Sequence, residues 1–180
     1  FENGSLFPMA KYDVRPSCYV YVGVVLCPLS FNYLLSWGDD WSEDAPYNLL
    51  TYFVDGKLSR ADEEVVIIIR VLADEINNGY ENLVNSRIVE VNGKKILNLR
   101  DVIETVETDS DGPYIVFKTE DNESIALERK KVEEAHKEIL SIYQIDDDRS
   151  SDLKETATGD NADGKKIASS GAVEADNLKQ

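Results

Sequence analysis

Histidine, methionine, cysteine and basic side chains are all scarce in this sequence. There is one histidine, one methionine and two cysteines in 180 residues. Lysine and arginine together number 19, against 35 aspartates and glutamates, for a formal net charge of -16. That balance argues against nucleic acid and anionic membrane surfaces as partners, because both require basic patches. No apolar run approaches the ~20 residues that a membrane-spanning helix needs. The longest, Val65 to Ile69, has the length of a strand. Two cysteines are too few for the disulfide framework of a small secreted scaffold. Cys18 and Cys27 are therefore expected as reduced thiols in strands, with a disulfide open if a hairpin brings them together.

The single histidine, His136, borders an apolar stripe. No nucleophile loop lies near it in sequence, so it is expected as a packed structural residue rather than a general base. No zinc-type spacing is present. Asp146-Asp147-Asp148 lacks the glycine and glutamate of a calcium loop and reads as a solvated acidic run. No catalytic residue, metal or cofactor is expected. Because the sequence starts at Phe1, without a signal or transit segment, it is read as a fragment or processed product.

Hydrophobic residues make up 42% of the chain, enough for a core. Residues 1–17 read as a linker or the end of a preceding module, 18–145 as one domain, and 146–180 as a disordered acidic tail. Cys18 to Leu29 is rich in β-formers. Gly23 inside it marks a bulge or a close backbone approach, and Pro28 marks a strand end. Ser36 to Glu43 reads as a polar loop carrying Trp37 and Trp41, which are either interface anchors or packed on their own domain.

Asp44 is expected to cap a helix with Pro46 in its first turn, burying Leu49, Leu50, Phe53 and Val54 and ending at Gly56. Glu64 to Leu72 reads as a strand covered on both faces, followed by a turn-rich connection to Ser86. Asn92-Gly93 between apolar runs predicts a hairpin. Leu99, Val102, Ile103 and Val106 predict a short helix capped by Asn98. Strands are predicted over 114–119 and 124–128, and a last helix over about 130–142. The order is that of an α+β fold: a half-open barrel or sandwich flanked by two to three helices.

Several of these runs resemble plant-type HtrA/Deg (Do-like) serine proteases. Tyr19 to Leu29 resembles the run that opens their last PDZ domain. Val71 to Glu81, Glu90 to Leu99, and Ile145 to Leu153 follow in the family's order. The resemblance spans roughly residues 11–153. It implies a PDZ module from an ATP-independent serine endopeptidase of protein quality control, often oligomeric, whose catalytic domain lies upstream and is absent here. It also implies an organellar location, chloroplast or mitochondrion, with the nucleus a further possibility.

PDZ domains bind an extended peptide as an added strand. The expected site comprises Val22, Gly23, Val24, Val25 and Leu26, with Val102, Ile103 and Val106 as the opposite wall. The glycine would let backbone amides face a terminal carboxylate. Expected partners are protein or peptide segments and copies of the full-length protein. The alternatives are a module that holds an oligomer together without accepting peptide ends, and a stand-alone adaptor.

Overall fold

The computed structural model describes residues 15–56 and 59–154. The predicted linker up to residue 14 and the predicted tail from residue 155 lie outside the described residues. The first sheet has the order β1 (Tyr19–Tyr21), β2 (Val24–Pro28), β3 (Val66–Val71), all antiparallel. Pro28 ends β2, as its missing N–H requires. Val22 and Gly23 join β1 to β2 with φ of 49° and 82°, the positive pair that a two-residue hairpin turn needs. A register shift between Val25 and Leu26 then bends β2.

The second sheet has the order β5 (Lys94–Lys95), β4 (Ile88–Val91), β6 (Tyr114–Thr119), β7 (Ser124–Glu128). Asn92-Gly93 turns β4 into β5 with φ of 51° and 75°. The sheets meet where Ile67 pairs with Arg87 and Ile68 exchanges backbone bonds with Asn85 and Ser86. They do not close, so the architecture is the expected α+β, half-open arrangement.

Five helices complete the described residues: α1 (Phe31–Leu34), α2 (Trp41–Asp44), α3 (Tyr47–Asp55), α4 (Leu99–Thr108) and α5 (Arg129–Ile142). Asn98 caps α4 by accepting from Asp101 N at 2.9 Å, and Asp101 answers by accepting from Leu97 N at 2.8 Å. The main core lies between the sheets under α4 and α5. It includes Leu26, Ile68, Ile88, Leu99, Val102, Phe117, Ile125, Leu127 and Ile139. Each such side chain contributes roughly 1.5–3 kcal/mol by leaving water.

A smaller core sits over β3. There Leu29, Leu34, Ala45 and Leu49 cover Val65 and Ile67. This helical lobe is tied to the rest through Asn85, whose Oδ1 accepts from the Tyr33 hydroxyl at 2.8 Å and whose carbonyl accepts from Asn48 Nδ2 at 2.9 Å. The Tyr52 hydroxyl bonds the Glu120 carboxylate.

Several expectations differ from the structure. Cys18 and Cys27 form a disulfide, with Cα atoms 4.6 Å apart, because the hairpin places them opposite each other. The predicted loop around Trp37 and Trp41 contains a 3₁₀ turn and α2, and Pro46 rather than Asp44 precedes α3. Phe53 and Val54 are exposed, because the lobe's core needs only the Leu49 side of α3. Residues 146–154, read as tail, include a β-bridge at Arg149, a 3₁₀ turn over Ser151–Leu153 and a buried Leu153.

Candidate functional site

The predicted receiving strand, β2, has both edges bonded, one to β1 and one to β3. Val24 and Leu26 are buried in the middle of the sheet and Val25 is half-buried. On α4, Val102, Ile103 and Val106 are all buried in the main core. The structure therefore brings the eight predicted residues into one region but presents them to the interior.

The turn between β1 and β2 is equally enclosed. Val22 N donates to His136 Nδ1 at 3.1 Å, and Leu72 N donates to Gly23 O at 2.8 Å. The fully buried Asn77 supplies the rest. Its Nδ2 donates to Val22 O at 2.9 Å and Leu72 O at 2.7 Å, while its Oδ1 accepts from Asp74 N at 3.0 Å. Gly23 is required by this approach: a Cβ there would sit on the Asn77 amide nitrogen and 2.6 Å from Leu72 O. The glycine permits a close backbone approach, as expected, but the approaching groups belong to the chain itself.

His136 is half-buried against the Tyr21 ring, with centroids 5.9 Å apart. Accepting at Nδ1 leaves its ring proton on Nε2, which lies 3.9 Å from Asp148 Oδ2. Burial lowers its pKa and outweighs the opposite pull of Asp148. Burial also pushes the Tyr21 hydroxyl up to about 12.

The free edge of the first sheet is the outer side of β1, and residues 148–150 already occupy it. Val20 N donates to Asp148 O at 2.6 Å, and Ser150 N donates to Cys18 O at 3.0 Å. Cys18 N donates to Ser150 Oγ at 3.1 Å, and Tyr19 pairs antiparallel with Arg149. The strap continues beside α4. Arg149 pairs with Glu107 at 2.6 Å and lies 5.2 Å over the Tyr19 ring. Arg100 Nη2 donates to Asp152 O at 2.6 Å, and Leu153 is buried beyond it.

The Asp148 carboxylate, followed by that of Glu107, holds the Arg149 pKa above its ordinary value, and Arg149 in turn lowers that of Asp148. In form this is strand addition between a sheet edge and a helix, performed by the chain on itself. A cleft of about 530 Å³ opens elsewhere, between α5, β7 and Asp74 to Ile76, and none of the eight predicted residues lines it.

The residues missed from sequence are Asn77 and Arg149. Asn77 sits in an Asn-Asn-Gly run that reads as a turn, and Arg149 in a polar stretch that reads as solvated tail. Nothing local marks either as a partner of β1 or its turn.

The sequence matches the PDZ domain family over residues 7–152. It is 33% identical over 141 residues to Protease Do-like 2, chloroplastic, from Arabidopsis thaliana, covering 78% of this chain and 23% of that protein. It is 29% identical over 150 residues to Putative protease Do-like 3, mitochondrial, from the same organism, covering 83% and 25%. Protease Do-like 4, mitochondrial, also from Arabidopsis, is 30% identical over 140 residues, covering 78% and 24%. The chain thus spans about a quarter of the length of these relatives. With its order of motifs and its two half-open sheets, it belongs to the PDZ domain family, in the branch carried by Do-like proteases.

Proposed function

We propose that this chain is the regulatory and assembly PDZ region of an organellar, ATP-independent Do-like serine endopeptidase of protein quality control. Catalysis belongs to a domain outside these residues. In its resting form the module offers no open groove for peptide ends and acts as a fixed structural unit within the oligomeric protease.

One observation carries this reading: the free sheet edge is already bonded to Asp148 and Ser150. An incoming strand finds no unpaired row of backbone groups there. The test is an NMR titration of the isolated chain with labelled C-terminal peptides ending in small or branched residues. No shift is expected at Gly23, Val24 or residues 99–107. Saturable shifts there in the unmodified chain would overturn the reading.

A second reading has its own support. Among the described residues, the strap's polar side-chain ties to α4 run through Arg149 and Arg100. If the strap releases, the outer edge of β1 and the adjoining side of α4 around Glu107 and Arg100 are freed to receive a strand, while Val22 to Leu26, Val102, Ile103 and Val106 stay behind them in the core. Peptide binding by Arg149→Ala, absent from the unmodified chain, would favour this version.

A further inference from the structure

The lobe over β3 has a composition unlike the rest of the chain. Residues 29–56 hold seven aromatic residues, both tryptophans and five acids, with no lysine or arginine. Its inner row forms the small core, and Phe31 and Trp41 pack on that core while keeping part of their surface open. Phe31, Trp41 and Phe53 pack on one another, with centroids 5.2 to 5.4 Å apart, and all three keep some exposure. Next to Phe53, α3 turns Val54 outward, 75% exposed, in line with Tyr47 one i, i+7 step earlier at 84%. The exposed Asp39, Asp40, Glu43 and Asp44 flank Trp41 in sequence, and Asp55 follows Phe53 and Val54. None of the five forms a salt bridge among the described residues.

We infer that the Phe31–Trp41–Phe53 cluster with Tyr47 and Val54 is a docking face for a cationic amphipathic segment of another protein. The apolar side chains of that segment lie on the rings, and its lysines or arginines meet the unpaired acids. Aromatic faces, tryptophan above all, attract cations as well as apolar groups, so one surface serves both halves of such a ligand. Acids at the rim steer a basic partner in and repel acidic ones. The same charges disfavour a second copy of this chain, since a symmetric pairing would set five acids against five within a -16 molecule. They also disfavour anionic lipid. The inference does not use the strap or the β1 edge, so it stands apart from the proposed function.

Both tryptophans lie in the lobe, which makes their fluorescence the readout. The probe is a synthetic leucine/lysine amphipathic helix of about 14 residues, titrated into the intact chain at about 50 mM NaCl. Its leucine/glutamate and glycine/lysine counterparts serve as controls. Expected is saturable binding of the leucine/lysine peptide alone, with a blue-shifted emission. Affinity should fall at least about tenfold in Tyr47→Ser/Val54→Ser, and also in Asp39→Lys/Asp40→Lys/Glu43→Lys. All five substituted side chains are exposed, so circular dichroism should match the unmodified chain, and the triple-lysine variant, with less net charge, should melt no lower. The inference is overturned by no binding, by equal binding of the glutamate or glycine peptide, or by undiminished affinity in either variant. Comparable binding to phosphatidylglycerol vesicles would likewise overturn it.

Discussion

Gly23 meets two demands that no other residue satisfies together. Its φ of 82° suits a residue without Cβ, and the space where a Cβ would go holds Asn77 and Leu72 O. Gly23→Val should therefore destabilise the fold by about 2–4 kcal/mol, read as a lower urea midpoint at unchanged m. At this position the fold is at stake before any ligand is. His136 gives a second test. Its pKa is lowered in the folded state, so the unfolded chain takes up the proton first. Its contribution is complete above the ordinary histidine value of about 6.5 and is lost as pH falls below it. Protonation also abolishes the acceptor for Val22 N. Tm should drop between about pH 7 and pH 5, and His136→Gln should flatten that drop, as followed by thermal unfolding.

Among the elements, β1 is only three residues long and depends on its neighbours. The Cys18–Cys27 disulfide ties it to β2, and the strap closes its outer side. Removing the crosslink by Cys18→Ser/Cys27→Ser should cost about 2–3 kcal/mol, the value for a short closed loop. Amide exchange should quicken first at Val20 and Ser150, which hydrogen exchange measures residue by residue. The elements readable from sequence were those with a complete period. The α4 stripe from Leu99 to Val106 and the predicted strands over 114–119 and 124–128 agree with the structure. Helices α1 and α2 have one turn each, too short for a 3.6-residue period to appear, so their segment read partly as loop. The strap is not legible in the sequence because its strand character comes from β1 and not from β-forming residues of its own.

Across the whole molecule, the -16 charge sets a cost that every contact must offset. Most ion pairs are partly exposed and join acids to the few bases, leaving a large acidic excess. Screening should relieve it. Raising NaCl from about 20 mM to about 500 mM is expected to increase Tm, measured by calorimetry. A decrease would mean that the attractive pairs at Arg149 and Arg87 outweigh the repulsion. The architecture was legible at this scale, because the order of strands, hairpins and helices admits few half-open arrangements.

The sequence by itself determined the α+β class, the Asn92-Gly93 hairpin, the cap and apolar face of α4, and the order of motifs that places the chain in the PDZ family. The first three are written in local periods and turn chemistry, and the last rests on resemblance to known sequences. Only the tertiary structure decided which groups meet across long separations: Asn77 filling the turn at Gly23, Cys18 facing Cys27, and Arg149 laid along β1. A backbone edge carries no mark in its side chains of whether it is free. Whether that edge awaits a ligand or is already paired is fixed by where the rest of the chain returns.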